Sequence, residues 1–179
     1  MAHPAQIAWC DKIKENHPNY FRNKRVLDIG SLDVDGNNQY LFSNCEYVGL
    51  DVVPGPNVDV VSIAHMYKPS APFDVVLSTN ALEHDLYWRQ TLDAMLTFLK
   101  PVGFLFFSVS ASHPEHGTKR TSPTHSGTTQ MGAEWENYYR NLTEVDLHES
   151  LDLNKFYRYE ISTFEKDLRF WGIKKANCS

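Results

Sequence analysis

A turn rich in aspartate follows the first strongly apolar run of the chain. The stretch VLDIGSLDVDGNN, residues 26–38, carries Asp28, Asp33 and Asp35 around Gly30. A glycine-bearing turn after a strand is typical of nucleotide-cofactor sites, because the backbone can approach a ligand closely there. Most such cofactors are anionic, and two like charges in a partly buried site repel by about 4 kcal/mol. The carboxylates therefore favour a ligand whose reacting end is positive.

The sequence lacks the two motifs that bind phosphate groups in the common nucleotide sites. A P-loop needs Gly-Lys-Ser/Thr, and no such triplet occurs. A dinucleotide fold needs GxGxxG, whereas the next glycine after Gly30 is Gly36. Asp51 ends the run YVGLD about 20 positions after the turn, where an acidic residue usually accepts the ribose hydroxyls. S-adenosylmethionine has a ribose, a sulfonium and an ammonium group and no phosphate, so it suits both features.

Short apolar runs, rich in β-branched and aromatic residues, predict the strands that position this turn. They alternate with helical segments at residues 5–16 and Leu86–Leu99, which predicts an α/β fold with a mostly parallel sheet covered on both faces. Only Val53 to Asn57 separate the second and third runs, so we expect an extended crossover of roughly 17 Å without a helix. The predicted strands are Arg25–Ile29, Tyr47–Val52, Val58–Val61, Phe73–Ser78 and Gly103–Val109.

The second half of the chain predicts a loop, a helix and a hairpin. Residues 111–135 are polar and aperiodic, and a loop of that length is a lid, a binding loop or a disordered insertion; we favour a lid. Thr143 and Asp146 resemble a capping box that opens a helix over Glu144–Leu151. The alternating runs Phe156–Ser162 and Leu168–Lys174 predict an antiparallel pair at the sheet edge.

These elements predict one domain over residues 1–179. We divide it into an N-terminal helical region (1–24), a cofactor-binding core (25–110), the loop or lid (111–135) and a C-terminal helix with edge strands (136–179).

Composition excludes several classes of protein. The net charge of −5 gives no electrostatic case for a nucleic-acid surface. Cys10, Cys45 and Cys178 are scattered without CxxC pairing, which favours a reducing compartment over a disulfide scaffold. No apolar run is long enough to span a bilayer, and the N-terminus lacks the layout of a signal peptide. We therefore expect a cytoplasmic protein with a small-molecule partner and no membrane; the sequence does not set the oligomeric state.

With VLDIGS and FDVVLSTNALEH (residues 73–84), the chain resembles the class I S-adenosylmethionine-dependent methyltransferases. The resemblance is good over residues 25–110 and looser at YYRNLT (138–143) and DLRFWGIK (167–174). It implies a Rossmann-like three-layer sandwich, mostly parallel, with an antiparallel C-terminal edge hairpin. The chain differs from the family pattern at two places. Leu32 and Val34 replace the later glycines of the first motif, and Ile63 stands where relatives often carry Asp.

The resemblance implies a set of cofactor contacts. These are Asp28, Gly30, Ser31 and Asp33 around the methionine end, Asp51 on the ribose, Val52, Ile63 and Ala64 at the adenine, and Ser78 closing the pocket.

Glu83 and His84 are the candidate catalytic residues. They follow the fourth strand at the mouth of the expected site, and histidine exchanges protons near neutral pH. An equally plausible role is to join the strand to the helix by hydrogen bonds. Some relatives bind a divalent metal here through Glu-x-x-Glu-His, but Asn80 replaces the first Glu and leaves two ligands. A flexible loop gives poor ligand geometry to the histidines of HPEH (113–116), so no metal site is predicted.

The acceptor side is predicted from two features: the dense aromatic and basic cluster of Trp135, Tyr138, Tyr139 and Arg140, some of whose members pack in the core, and His116 in the long loop, a possible acid-base group. The candidate substrate-binding residues are His116, Tyr138, Tyr139 and Arg140.

The leading hypothesis is methyl transfer from S-adenosylmethionine to a small or medium acceptor, which releases S-adenosylhomocysteine. The alternative is a non-catalytic protein or partner subunit that binds the same two molecules. A nucleotide-dependent oxidoreductase is disfavoured by the acidic turn and the missing GxGxxG. The sequence does not identify the acceptor, because one fold serves many chemistries.

Overall fold

A seven-stranded sheet organises the protein, whose computed structural model describes residues 4–176. The order across the sheet is β3-β2-β1-β4-β5-β7-β6. The strands are β1 (Arg25–Ile29), β2 (Glu46–Asp51), β3 (Val60–Val61), β4 (Phe73–Thr79), β5 (Leu99–Ser110), β6 (Phe156–Phe164) and β7 (Asp167–Lys174).

The first five strands form the parallel part of the sheet. β1 lies between β2 and β4, β3 pairs with β2, and β5 pairs with β4, all in parallel. The crossover from β2 to β3 contains no helix, as predicted, and β3 is only two residues long. β5 begins earlier than predicted, at Leu99, with an irregular register around Val102, whose φ is 60°. Because parallel neighbours end at one edge, the turns after β1, β2 and β4 meet there.

The last two strands form the predicted antiparallel edge hairpin. β7 pairs with β5 along Phe104–Ser110, and β6 pairs with the outer side of β7. Phe107 and Phe170, which face each other across the β5–β7 pair, stack with ring centroids 5.1 Å apart. β7 therefore joins the hairpin to the rest of the sheet, and β6 forms the edge of the sheet.

Three helices cover the two faces of the sheet. α1 (Pro4–Asn16) packs Trp9, Cys10 and Ile13 onto one face. α2 (Trp88–Phe98) and α3 (Glu144–Ser150) pack onto the other. This is the predicted three-layer sandwich. Within residues 4–176, no helix has the length and apolarity needed to cross a membrane.

Cys10 is buried and Cys45 is partly exposed, and both are free thiols. Cys178 lies outside the described residues.

The start of α3 is fixed by the predicted capping box. The Thr143 hydroxyl accepts a hydrogen bond from the Asp146 amide at 3.2 Å, and the Asp146 carboxylate accepts one from the Thr143 amide at 2.8 Å. Two helix-end amides that would lack a partner are thus satisfied, and Leu147 is held in the core.

Replacing this cap tests how much it stabilises the fold. Thr143→Ala should lower the free energy of unfolding by about 1 kcal/mol, because the Asp146 amide loses its acceptor. Urea denaturation measures the change, and Thr97→Ala, at an exposed position inside α2, is the matched control. Equal stability of Thr143→Ala and the wild type would show that water replaces the cap without loss.

Candidate functional site

A cleft opens at the edge of the sheet where the parallel strands end. Its free space, with the open mouth included, is about 990 Å³. Its walls come from the turns after β1, β2 and β4, from the segment after β3 and from the long loop after β5. The lining residues are 28–32, 34–38, 50–52, 62–64, 78–82, 84, 85 and 125–128, with Gln6 and Trp135.

The turn after β1 is held close to the turn after β4. Gly30 has a φ of 78°, and a Cβ atom at this position would lie 2.2 Å from the Cβ of Ala81. Only glycine allows this approach. The amides of Gly30 and Ser31 donate to the carbonyl of Leu50 at 2.9 and 3.1 Å. The turn is thereby tied to β2 without the later glycines that the first motif usually has.

Asp28 places a buried carboxylate in the floor of the cleft. One of its oxygens accepts hydrogen bonds from the Tyr47 hydroxyl and from the Asn38 amide, the latter at 3.2 Å. Its Oδ1 atom has no hydrogen-bond donor among residues 4–176. Burial raises the pKa of Asp28 to about 7, although the bonds from Tyr47 and Asn38 oppose the shift. An unpaired, buried carboxylate oxygen of this kind fits a cationic ligand.

Asp51 lies at the end of β2 and is oriented by backbone amides. Its carboxylate accepts from the Leu32 amide at 3.0 Å and from the Val52 amide at 2.7 Å. Burial raises the pKa of Asp51, and these amide hydrogen bonds oppose the rise. The side chain is therefore fixed at the cleft wall, beside the apolar surface of Val52, Ile63 and Ala64.

Most of the predicted cofactor residues meet in this cleft. Those that line it are Asp28, Gly30, Ser31, Asp51, Val52, Ile63, Ala64 and Ser78.

Asp33 is the exception, because it does not line the cleft. Its carboxylate accepts from the Gly36 amide at 2.8 Å and from the Asn37 side chain at 2.7 Å. Asp33 therefore shapes the turn instead of lining the cleft.

The two candidate catalytic residues lie in different surroundings. His84 lines the cleft and is 5% exposed, and burial lowers its pKa to about 3. Glu83 is fully buried behind it and does not line the cleft. A catalytic role for the two residues stays a prediction.

The four candidate acceptor residues separate into two pairs. The rings of His116 and Tyr139 pack against His84, with centroids 5.2 and 5.4 Å away. The Arg140 guanidinium instead binds Asp146 at 2.7 Å and lies over Trp88. Tyr138 is partly buried against the apolar core. None of the four lines the cleft itself, and their role in binding the acceptor stays a prediction.

The long loop crosses the mouth of the cleft. Residues 125–128 line it, and short 3₁₀ turns over Pro123–His125 and Gly127–Gln130 give the loop local structure. A Cβ atom on Gly127 would lie 2.4 Å from Val53 and 3.1 Å from the Asp51 carboxylate. The loop thus sits directly on the side chain predicted to bind ribose.

Sequence reasoning missed several lining residues. Gln6 reaches the cleft from α1 and is only 3% exposed. Asn80 has a φ of 47°, and its side-chain oxygen accepts from the Ser108 hydroxyl at 2.6 Å. A buried amide on a helix and an asparagine directly after a strand are weak signals. Residues 125–128 carry no periodicity that could have placed them.

Comparison with known proteins shows the family to which the chain is similar. The model of a family described as methyltransferase domain matches residues 1–155. A search of curated proteins finds no match.

Three solved structures illustrate the likeness in fold. The 1,6-didemethyltoxoflavin-N1-methyltransferase of Burkholderia thailandensis, with bound 1,6-didemethyltoxoflavin and S-adenosylhomocysteine, has a TM-score of 0.60 at 17% identity, covering 98% of this chain and 92% of that one. The N-methyltransferase NodS of Bradyrhizobium japonicum WM9 has a TM-score of 0.61 at 13% identity, covering 97% and 98%. Phosphoethanolamine N-methyltransferase 2 of Haemonchus contortus, in complex with S-adenosyl-L-methionine, has a TM-score of 0.63 at 14% identity. The match covers 94% of this chain and 52% of that one.

The raised pKa of Asp28 predicts a pH-dependent effect of Asp28→Asn on stability. Between about pH 4 and pH 7 the folded protein keeps a proton that the unfolded chain has released, so wild-type stability falls as pH rises through this range. The amide side chain of the variant carries no charge to bury and can still accept from Tyr47. The variant should therefore gain stability over the wild type as pH rises, by up to about 4 kcal/mol at pH 8.

Denaturation in urea at pH 5 and pH 8 measures this difference. Asp93→Asn, at an exposed position on α2, is the control for loss of a charge. A gain for Asp28→Asn that is the same at both pH values would mean that Asp28 is ionised throughout.

Proposed function

Because the chain belongs to the family of methyltransferase domains, we propose that it transfers the methyl group of S-adenosylmethionine to a small or medium acceptor. S-adenosylhomocysteine is the product. The observation that carries this proposal is the convergence of Asp28 and Asp51 in one cleft at the ends of β1 and β2. Two buried carboxylates there suit a ligand that has ribose hydroxyls and positive charge.

The electrostatics of the cleft distinguish this cofactor from a dinucleotide. Asp28 has an oxygen without a donor in the described chain, and Asp51 offers acceptor positions beside the amides that hold it. The ammonium group of the cofactor would supply the donor that Asp28 lacks, and the ribose hydroxyls would donate to Asp51. A diphosphate at the same place would meet two carboxylates and would be repelled.

The apolar wall beside Asp51 fits the adenine. Val52, Ile63 and Ala64 line the cleft next to the ribose position, as the resemblance implies. The Ile63 side chain itself offers no acceptor to the adenine amino group. Another group of the cleft must then accept from it, or that hydrogen bond goes unmade at a cost of roughly 1 kcal/mol.

Methyl transfer is an in-line displacement at sulfur, so placement of the two reactants supplies much of the acceleration. The loop of residues 111–135 would act as a lid that holds the two reactants in position. It contacts Asp51 through Gly127 and reaches His84 through His116 and Gly117. It therefore spans the cofactor position and the region beyond it, where the acceptor must lie, and closing it would exclude water.

The cofactor site is tested by Asp51→Ala. The variant should bind S-adenosylhomocysteine more weakly by about 1.5–3 kcal/mol, because the charged acceptor for two ribose hydroxyls is lost. Asp59→Ala is the matched control, since Asp59 also accepts a backbone hydrogen bond beside β2, from Gly49 at 2.8 Å, but does not line the cleft.

Calorimetric titration of both variants, with turnover of S-adenosylmethionine against a panel of acceptors, measures the effect. Equal affinity of Asp51→Ala and the wild type would show that the ligand does not lie at the end of β2. Tight binding without turnover of any acceptor would instead favour the non-catalytic alternative.

The lid is tested by hydrogen exchange. Amides of residues 111–135, and those of Gly127 and Thr128 above all, should exchange more slowly with S-adenosylhomocysteine bound, because the ligand fills the space under them. The amides of α3 serve as an internal reference that should not change. If the loop exchanges at the same rate with and without the ligand, it is a passive insertion.

A further inference from the structure

Three metal-ligating side chains meet beside the cleft, where the sequence alone offered two. Glu83 and His84 lie in the short turn after β4, and His116 is brought to them by the long loop. One donor atom from each residue lies within 4.8 Å of the other two. The third residue is distant in sequence, so sequence spacing could not reveal the cluster.

Glu83 is the member that most needs a partner. It is fully buried, and neither of its carboxylate oxygens has a hydrogen-bond donor of good geometry among residues 4–176. In the same part of the chain, no Lys, Arg or His nitrogen pairs with it. A carboxylate removed from water without a compensating cation or donors is unfavourable, because it has lost its hydration. A bound cation would offset this cost directly.

The two histidines present ligand nitrogens to the same place. Nδ1 of His116 lies 3.0 Å from the carbonyl of Pro114, which fixes the proton on Nδ1 and leaves the lone pair of Nε2 free. Nδ1 of His84 is buried without a partner in the described chain.

Glycine at position 117 makes this approach possible. Gly117 has a φ of 61°, and a Cβ atom there would lie 2.6–3.2 Å from the ring atoms of His84. Any other residue would push the loop, and His116 with it, away from His84. The Tyr139 ring packs against both imidazoles, at 5.4 and 5.0 Å, and limits their movement.

A purely structural role accounts for only part of the contacts in the cluster. If Glu83 and His84 joined the strand to the helix by hydrogen bonds, their side chains would be bonded to each other or to the backbone. The backbone amides of Glu83 and Ser110 approach the Glu83 carboxylate, but within residues 4–176 neither of its oxygens makes a well-aligned hydrogen bond, and Nδ1 of His84 has no partner. Buried polar atoms in this state require an explanation, such as a catalytic role or a bound water or ion.

We propose that Glu83, His84 and His116 bind one divalent transition-metal ion of the zinc class. Two imidazoles and one carboxylate form a donor set that such ions accept while keeping positions open. Donor atoms at about 2.1 Å from an ion lie about 3–3.5 Å apart, so a small side-chain movement completes the site. His84, one of the three ligands, also lines the cleft, so the ion would lie beside the space where the acceptor is proposed to lie.

Metal titration tests the site without relying on any activity. Chelator-treated protein is titrated with Zn²⁺ by calorimetry and with Co²⁺ by visible absorption, which reports the ligand geometry. One equivalent should bind, and His116→Ala and Glu83→Gln should each weaken binding at least about tenfold. His148→Ala is the matched control, since His148 is an exposed histidine on α3 and outside the cluster.

Glu83→Gln keeps the volume of the side chain and removes its charge, and a thermal melt checks that it folds. Binding of Zn²⁺ to both variants with wild-type affinity would overturn the proposal, and so would the absence of binding to the wild type. Binding of S-adenosylhomocysteine to the metal-free protein is measured in a separate titration. A negative result for metal binding therefore does not contradict the proposed cofactor site, and a negative result for cofactor binding does not contradict the metal site.

Discussion

The parallel pairing of β1 with both of its neighbours is the constraint on which the site depends. Asp28 is in register with Gly49 of β2 and Leu77 of β4, so the three strands end together and their turns meet at one edge. Gly49 makes the crossover after β2 possible, because a Cβ atom there would lie 1.9 Å from the Asn57 carbonyl. A slip of one residue would turn Asp28 away from the cleft and into the apolar packing on the other face. The register of the sheet therefore determines the geometry of the site.

This edge concentrates buried polar atoms that the fold leaves unpaired. Asp28, Ser31, Ser78 and Glu83 each have at least one side-chain oxygen without a partner in the described chain. Each such atom costs free energy, which the apolar clusters on the two sheet faces must offset. A ligand or ion that supplies the absent donors recovers part of this cost on binding. The instability of the free site and its affinity for ligands thus have the same physical origin.

Regular elements could be predicted from the sequence, because each has a local cause. Strands that are buried on both faces appear in the sequence as continuous apolar runs. Thr143 and Asp146 form their cap within four residues, and the position of Asp51 in the site was predicted from its spacing after Gly30. The path of residues 111–135 is not determined by any pattern within the loop itself. It is set by contacts with distant residues, as at Gly117 against His84. Two candidate site residues lie outside the cleft: Asp33, which the resemblance implied, makes local turn contacts, and Arg140, taken from the aromatic and basic cluster, binds Asp146 of the α3 cap.

A crystal structure with S-adenosylhomocysteine is the most direct test that the acidic cleft is a cofactor site. We expect the ribose hydroxyls on the Asp51 carboxylate, the amino group of the ligand beside Asp28, and the adenine against Val52 and Ile63. The segment 125–128 should cover the nucleoside. A ligand bound outside this cleft, or bound in reverse with its carboxylate against Asp28, would contradict the proposed role of the buried carboxylates.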